Sequence, residues 1–251
     1  MTKTIIQQTG VGAVSDVGRV RKQNEDAFFV DDKHGLFIVS DGMGGANAGE
    51  VASKIVVSIL PKMIRARLAK LKQPRSRAIR YWLRREILAL SQHLHAESAK
   101  QVGTTGMGAT LVLALVRGNQ VHIAHMGDSR AYLFREGNLT QITEDHSVVA
   151  LLLKGGDITQ EEAKVHPARS ILTRNIGMES EMPPDVRTVD LKPSDRLLLC
   201  TDGLTGMLTV EEIAAILKDN PDPHDACKAL VAAANHTGGK DNITVVLVNW
   251  S

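Results

Sequence analysis

Acidic residues stand at the ends of two apolar stretches of this chain, each directly before a glycine. Asp41 follows the stretch 36–40, and Asp202 follows the stretch 196–201. Short apolar runs that end in Asp-Gly are typical of buried strands followed by a turn. The glycine lets the backbone turn tightly and exposes a carbonyl oxygen, which suits a hard cation. The two stretches therefore predict two carboxylates that share a divalent cation.

Two further acidic groups lie next to apolar stretches. Asp241 and Asn242 precede one apolar run, and Glu25 and Asp26 precede another. Neither cysteine nor histidine stands at these positions, and a set of oxygen ligands favours Mg²⁺ or Mn²⁺ over Zn²⁺. The sequence thus predicts an oxygen-ligand metal site at the ends of four strands.

The segments that carry these acids occur in a fixed order along the chain. They are Ser15-Asp16-Val17-Gly18 with Arg21 and Asn24-Glu25-Asp26, then Asp41-Gly42-Met43-Gly44-Gly45, Gly127-Asp128-Ser129-Arg130, Asp202-Gly203-Leu204 and Asp241-Asn242. Together, from about residue 10 to residue 249, they resemble the metal-dependent serine/threonine protein phosphatases, the PPM or type 2C family, in its compact bacterial form. Each motif alone is a weak signal, whereas six in this order are specific.

The resemblance implies hydrolysis of phosphoserine and phosphothreonine by direct attack of a water or hydroxide that bridges two Mn²⁺ or Mg²⁺ ions. The metal ligands that it implies are Asp26, Asp41, the Gly42 carbonyl, Asp202 and Asp241, with Glu25 and Asn242 as supporting residues. By the same resemblance, Asp41 is expected to bridge the two ions, and Asp26 and Glu25 are expected to reach them directly or through ordered water. Because the clustered aspartates repel one another, the metal-free site is expected to be strained.

The resemblance also assigns roles to Arg21 and Asp128. Arg21 is expected to hold the substrate phosphate, since a guanidinium makes paired hydrogen bonds to phosphate oxygens. Asp128 is expected to bind a third, weaker metal ion, as the matching aspartate does in bacterial members. Eukaryotic relatives carry a histidine directly after the Asp-Gly pair, where this chain has Met43. A metal-bound water is therefore the expected proton donor to the leaving oxygen.

Two other functions stay open from the sequence. One is a catalytically silent phosphoprotein-binding module of the same fold, although none of the expected metal carboxylates is missing. The other is a metal-dependent hydrolase of small phosphate esters or nucleotides. The glycine-rich stretch 42–45 lacks the Gly-Lys-Ser/Thr that continues a nucleotide-binding P-loop. Activity on phosphoproteins is therefore the favoured interpretation.

Length and periodicity predict the architecture. The chain has 251 residues, 43% of them hydrophobic, and no linker or repeat, so residues 1–251 are expected to form one catalytic domain. Short strands with turn signals in the middle of the chain, the first of them expected over residues 109–116, favour antiparallel sheets. We expect an α+β fold, a four-layer α-β-β-α sandwich of two antiparallel sheets flanked by helices. Residues 145–177 resemble the family's flap subdomain. Capping boxes predict helix starts at Thr159 and Thr209.

Residues 62–85 contain ten Lys or Arg and no Asp or Glu. The helical spacing around Pro74 favours two amphipathic helices with a solvated basic face over a patch for nucleic acid or an acidic partner. Only Tyr81 and Trp82 could stack on bases in this stretch. If the basic face has a partner, acidic segments of phosphoproteins are the expected class.

His93 and His95 are interpreted as surface residues, and His122 and His125 are interpreted as structural residues. His122 and His125 differ in strand parity and cannot both face one ligand. His146 and Arg174, in the segment that resembles the flap, are assigned either to substrate contact or to structural hydrogen bonds, and the sequence leaves both readings open.

The remaining features of the sequence limit the expected cellular location and the expected partners. Cys200 and Cys227 lie in apolar segments and are expected to be reduced core residues. The net charge of +2 does not indicate nucleic acid or membrane as a partner. No signal region and no apolar run of the ~20 residues that span a membrane is present, so a cytoplasmic location is expected. The expected partners are phosphorylated proteins and an opposing Ser/Thr kinase, and the chain is expected to be a monomer.

Overall fold

The computed structural model describes residues 10–44, 48–71, 75–100, 106–179 and 182–250. The strands are β1 (Gly10–Asp16), β2 (Asp26–Asp31), β3 (Leu36–Met43), β4 (Gly108–Ala109), β5 (Leu111–Arg117), β6 (Gln120–Met126), β7 (Arg130–Arg135), β8 (Asn138–Gln141), β9 (Asp185–Asp190), β10 (Arg196–Cys200) and β11 (Ile243–Asn249). The helices are α1 (Ala48–Ala69), α2 (Ser76–Ser98), α3 (Val148–Gly155), α4 (Gln160–Val165), α5 (Asp202–Thr205), α6 (Val210–Asp219) and α7 (Pro223–His236).

Two antiparallel sheets form the centre of the fold. One has the order β1-β11-β10-β7-β8, and the other has the order β2-β3-β5-β6-β9 with β4 paired to β3. Helices α6 and α7 pack on the first sheet, and helices α1 and α2 pack on the second. The predicted four-layer α-β-β-α sandwich is confirmed.

Three apolar layers separate the four layers of secondary structure. In β3, Leu36 and Ile38 point toward α1 and α2, whereas Phe37 and Val39 point into the layer between the sheets. The third layer, which includes Leu198 of β10, lies between the first sheet and α6 and α7. Because the central strands are covered on both faces, their sequences read as continuous apolar runs rather than alternating ones.

The strand register brings the acidic strand ends to one edge. Asp26 at the start of β2 lies opposite Asp41 near the end of β3. In the other sheet, Cys200 at the end of β10 pairs with Val245 near the start of β11. Asp202 directly follows that end of β10, and Asp241 directly precedes that start of β11, so these acids reach the same edge.

Two predicted strands have different bounds. β3 was predicted to stop at Asp41, but it continues to Met43, because Gly42 donates to the Glu25 carbonyl and pairs with β4. The predicted strand over residues 109–116 is interrupted at Thr110, whose N–H donates to the Asp41 carbonyl instead. These hydrogen bonds hold the backbone around Asp41 more tightly than the predicted turn at the end of a strand would.

Two further details differ from the predictions, whereas the last strand starts at Ile243, directly after Asp241-Asn242, as the sequence indicates. His95, predicted to be a surface residue, is half-buried and lies 3.2 Å from the Gly177 carbonyl through Nδ1. The sequence did not predict β9, an edge strand that pairs with β6.

Local predictions of helix starts and core cysteines are confirmed. Thr159 and Thr209 both form complete capping boxes. Cys200 and Cys227 are free and buried, and burial raises the pKa of each thiol to about 12. The predictions made for Gly45 and for the joint at Gln73-Pro74 lie outside the described residues. In the described ranges, no helix is both long enough and apolar enough to span a membrane.

Candidate metal centre

The centre begins at the paired ends of β2 and β3, where Asp26 faces Asp41. The N–H of Asp41 donates to Thr110 Oγ1 at 2.8 Å, and the Asp41 carbonyl accepts from the Thr110 N–H at 2.8 Å. Thr110 Oγ1 also lies 2.7 Å from the hydroxyl of Ser129, the residue directly after Asp128. One threonine therefore joins the Asp41 strand to the Asp128 loop.

Gly42 is required by close packing at this edge. A Cβ atom at Gly42 would lie 2.0 Å from the Gly49 carbonyl oxygen and 2.7 Å from the Glu25 carbonyl oxygen. Such distances leave no room for a side chain, so the first turn of α1 can approach the strand only at a glycine. Gly42, whose carbonyl oxygen the sequence assigns to a cation, is thus also needed for α1 to pack against β3.

The Asp202 and Asp241 segments are held together in the same way. Asp202 begins the short helix α5, and a Cβ atom at Gly203 would lie 1.9 Å from the Asn242 carbonyl oxygen. On the other side, Gly18 has a φ of +80°, and a Cβ there would lie 2.2 Å from the Asp241 carbonyl oxygen. Two glycines therefore allow three loops to converge.

Asn242 fixes the loop that carries Arg21. Its Oδ1 accepts from the Glu25 N–H at 2.8 Å, and its Nδ2 donates to the carbonyls of Val17 and Gln23, each at 2.9 Å. The side chain is buried and uses its acceptor and both donor hydrogens. Asn242, which is predicted to support the metal site, thus joins its own segment to the segments of Val17 and of Gln23 to Glu25.

A network of hydroxyl groups behind Asp26 was missed by the sequence reasoning. The hydroxyl of Thr201 donates to Asp26 Oδ2 at 2.8 Å, and the hydroxyl of Thr244 bonds to the same carboxylate. Ser15 Oγ lies 2.7 Å from Thr244 Oγ1 and accepts from Asn24 at 2.9 Å. The available signal was the occurrence of threonine in otherwise apolar strand segments, where a buried hydroxyl needs a partner.

Five carboxylates gather at this edge: those of Asp26, Asp41, Asp128, Asp202 and Asp241. Burial, followed by the charges of Asp26 and Asp202, raises the pKa of Asp41 well above its ordinary value. Burial raises the pKa of Asp26 to about 7 and that of Asp128 to about 7, and the charge of Asp202 adds to both increases. Burial and the charge of Asp241 raise the pKa of Asp202. The centre is therefore electrostatically strained in the absence of a cation.

The donor set fits divalent metal ions. Oδ1 of Asp26 and Oδ1 of Asp202 are buried, and neither has a hydrogen-bond partner among the described residues. An unpaired buried carboxylate oxygen costs free energy unless a donor or cation satisfies it. All five side chains offer oxygen, which suits Mg²⁺ or Mn²⁺ better than Zn²⁺.

Arg21 lies on the solvent side of the carboxylates. Its Nη2 donates to Asp241 Oδ2 at 2.7 Å, and half of its side-chain surface is exposed. The hydrogen bond to Asp241 raises the pKa of Arg21, and the charges of Glu25 and Asp41 add to the increase. The structure thus brings the predicted phosphate-binding arginine to the predicted metal residues.

A second cluster of potential ligands lies where the segment resembling the flap meets β6 and β9. His125, His146 and Asp185 each place one potential ligand atom within 4.8 Å of the others. The two rings stack with their centroids 4.4 Å apart, and His125 Nε2 bonds to the Glu144 carbonyl. The N–H of Gly127 donates to His146 Nδ1 at 3.3 Å.

The hydrogen bonds of this cluster favour a structural role. Because His146 Nδ1 accepts from Gly127, the proton of the neutral ring lies on Nε2, which is 3.3 Å from Asp185 Oδ2. The guanidinium of Arg174 approaches both His146 and Asp185, at 3.4 and 3.3 Å. A metal ion here would have to displace that proton and the arginine. Burial lowers the pKa of His146 to about 4, so the ring is neutral at pH 7.

The variant His146→Gln is expected to lower the free energy of unfolding by about 1–3 kcal/mol, the cost of leaving buried hydrogen-bonding groups unpaired. Urea denaturation at pH 7.5 measures the change. His93→Gln is the control, because His93 lies exposed on α2. An unchanged free energy of unfolding in His146→Gln would contradict this structural role.

Comparison with known proteins assigns the chain to a family. Residues 19–240 match the family described as protein phosphatase 2C. The serine/threonine phosphatase stp of Listeria welshimeri is 40% identical over 237 residues, which cover 93% of each chain. A solved serine/threonine phosphatase from S. agalactiae is 34% identical with a TM-score of 0.89, covering 97% of this chain and 100% of that chain.

A further solved relative contains metal. The catalytic domain of the serine/threonine protein phosphatase PstP, in complex with two manganese ions, is 34% identical with a TM-score of 0.82 and covers 96% of this chain and 97% of that chain. These similarities extend over nearly all of the sequence. The chain belongs to the protein phosphatase 2C family.

Proposed function

We propose that this protein is a metal-dependent protein serine/threonine phosphatase. The observation that carries the proposal is the convergence of five carboxylates, two of them with unpaired buried oxygens, beside the half-exposed Arg21. Family membership and the relatives named serine/threonine phosphatase support the activity. The substrates are phosphoserine and phosphothreonine in proteins, and the activity reverses that of a protein kinase.

The residues that hold metal are part of this proposal. They are Asp26, Asp41, the Gly42 carbonyl, Asp202 and Asp241 for two catalytic ions, with Asp128 for a third, weaker ion and with Glu25 and Asn242 in support. Manganese is the first candidate, because the PstP relative binds two manganese ions, and magnesium is the alternative. When bound, such ions activate a water for attack on phosphorus and neutralise charge on the phosphoryl oxygens.

The protein's own groups position the substrate. Arg21 can turn from Asp241 toward a phosphoryl group, because its side chain is half exposed and its guanidinium is a planar donor. Thr201 and Thr244 keep the Asp26 carboxylate oriented, and Asn242 holds the loop of Arg21. Met43 follows Gly42, so no side chain at that position can protonate the leaving oxygen.

The proposal also covers organisation and partners. Residues 1–251 form one catalytic domain, and residues of about 145–177 form its flap. The partners are phosphorylated proteins and an opposing Ser/Thr kinase, without nucleic acid or membrane, and the chain acts as a monomer in the cytoplasm.

The substrate class is tested by comparing kcat/KM for a phosphothreonine peptide, a phosphotyrosine peptide and ATP in the presence of Mn²⁺. We expect metal-dependent turnover with the phosphothreonine peptide as a good substrate and ATP as a poor one. A preference for ATP would instead indicate a hydrolase of small phosphate esters. Absence of turnover with Mn²⁺ bound would indicate a silent phosphoprotein-binding module.

Arg21→Ala is expected to lower kcat/KM for the phosphothreonine peptide about 10–100-fold, the loss of one charge-assisted contact to phosphate. Arg21→Lys is expected to recover part of the loss, since it restores the charge without the planar fork. The control is Lys22→Ala, which removes an equal charge from the neighbouring exposed residue. Equal losses in Arg21→Ala and Lys22→Ala would show that only the charge of the loop matters.

A further inference from the structure

One third of the basic residues of this chain lie in a single stretch of the sequence. Residues 62–85 hold ten Lys or Arg and no acid. Because the whole chain has a net charge of +2, the remainder carries a net charge of −8. The stretch covers the second half of α1 and the first half of α2, so the two helices form one positively charged end.

Several of these cations form no ion pair with an acid in the described part of the chain. We define the basic surface as Lys62, Lys70, Arg75, Arg77 and Arg84. All five are exposed, and none forms an ion pair with another described residue. Neighbouring arginines are used differently: Arg65 pairs with Asp31 at 3.4 Å, and Arg67 pairs with Glu86 of α2. The basic surface therefore remains after the structural ion pairs are formed.

Helix stability does not account for the placement of these charges. Helix α2 begins with Arg75 as its N-cap, without a side-chain cap and without an acid in its first turn. Cations near a helix N-terminus lie against the positive end of the macrodipole and are unfavourable there. Arg75 and Arg77 are thus located where they weaken the helix that carries them, unless an anion is bound nearby.

We propose that the basic surface is a docking site for acidic segments of phosphoprotein substrates. The proposal rests on the function proposed above and adds a second contact outside the metal centre. Helix α1 starts beside Gly42, and Lys62 lies thirteen residues beyond Gly49, or about 20 Å along the helix. A substrate that occupies both sites needs a spacer of at least about 6 extended residues between its phosphate and its acidic segment.

The exposed groups favour a protein partner. Among the described residues of this end, Tyr81 is the large exposed hydrophobic residue, and Arg85 already lies over its ring. Trp82 is buried, so aromatic stacking on nucleic-acid bases is not available from it. A membrane surface would be bound through large apolar groups inserted beside the cations, and Tyr81 is the one such exposed group among the described residues of this end. Clustered carboxylates in a flexible segment match an exposed cationic surface without such groups.

The test uses three phosphothreonine peptides that are identical around the phosphate. The first carries six glutamates after a flexible linker of fifteen residues, the second carries six glutamines after the same linker, and the third carries the glutamates after two residues. With Mn²⁺ and low salt, we expect the first peptide to have a KM about tenfold lower than the other two. The difference should disappear at high salt, which screens exposed charges.

Variants assign the effect to the surface. Arg75→Glu/Arg77→Glu/Arg84→Glu should abolish the advantage of the first peptide and leave kcat and KM for the second unchanged. Lys192→Glu/Lys218→Glu/Lys228→Glu makes the same change of charge at exposed lysines outside this end and should retain the advantage. Equal loss in both variants would show a general effect of net charge and would overturn the docking site.

Other outcomes separate the two proposals. Failure to hydrolyse the glutamine peptide with Mn²⁺ would overturn the proposed phosphatase activity, whereas its hydrolysis without any advantage for the acidic peptide would overturn only the docking site. Inhibition by RNA at lower concentrations than by a hexaglutamate peptide would overturn it in favour of a nucleic-acid surface. Self-association that is lost in the arginine variant would assign the surface to contacts between copies of the chain.

Discussion

The variant Asp41→Asn is expected to lose metal-dependent hydrolysis and to be more stable than the wild type without metal. Burial, followed by the charges of the other four carboxylates, raises the pKa of Asp41 well above its ordinary value. Removing electrostatic stabilisation from a reaction centre costs roughly 10²–10³-fold in kcat or more. Removing one like charge at ~4 Å relieves up to about 4 kcal/mol at an effective dielectric constant of 20.

The stability of the metal-free protein is measured by urea denaturation at pH 7.5 with EDTA. The catalytic loss is measured by hydrolysis of the phosphothreonine peptide with Mn²⁺. Asp219→Asn is the control, because Asp219 is exposed at the end of α6. It should change neither quantity. The prediction is contradicted if the metal-free Asp41→Asn protein is less stable than the wild type. The hydrogen bonds of Asp41 would then stabilise the fold by more than its charge destabilises it.

The stability gained by replacing Asp128 should depend on pH in the metal-free protein. Burial and the charge of Asp202 raise the pKa of Asp128 from 3.8 to about 7. Between these values the folded state holds a proton that the unfolded state has released, so the free energy of unfolding falls as pH rises. For a single group with this change of pKa, the loss is about 4 kcal/mol once pH exceeds the folded value.

Comparison of Asp128→Asn with the wild type isolates this contribution. The buried histidines His122 and His146, whose pKa values are lowered to about 4, have the opposite pH dependence but are present in both proteins. With EDTA, the variant should gain stability relative to the wild type from pH 5 to pH 8. With saturating Mn²⁺ the gain should disappear or reverse, because metal binding keeps the carboxylate ionised. A difference that does not vary with pH would contradict the raised pKa of Asp128.

The sequence predicted those features that depend on neighbouring residues. Asp-Gly after an apolar run located Asp41 and Asp202, and the pattern Thr-x-x-Glu located the capping boxes at Thr159 and Thr209. Each of these signals lies within about ten residues, where backbone conformation and the first hydrogen bonds are decided locally. The family resemblance then joined the local signals into one site.

Contacts between distant segments were not predictable from the residues. Thr201 and Asp26 are 175 positions apart, and Asn242 and Glu25 are 217 apart, so only the strand register brings them together. The meeting of His125, His146 and Asp185 depends in the same way on β9, an edge strand with a mixed burial pattern that gives little periodic signal. The break at Thr110 is set by its bonds to Asp41, which belong to another strand.

The central claim is that the five carboxylates form the metal centre of a phosphatase. It is tested most directly by the Mn²⁺ dependence of phosphothreonine-peptide hydrolysis in the wild type, in Asp202→Asn and in His125→Gln. We predict turnover that requires Mn²⁺ in the wild type, is lost in Asp202→Asn and is retained in folded His125→Gln. Full activity in Asp202→Asn, with loss confined to folded His125→Gln, would contradict the claim and place the metal at the histidine cluster.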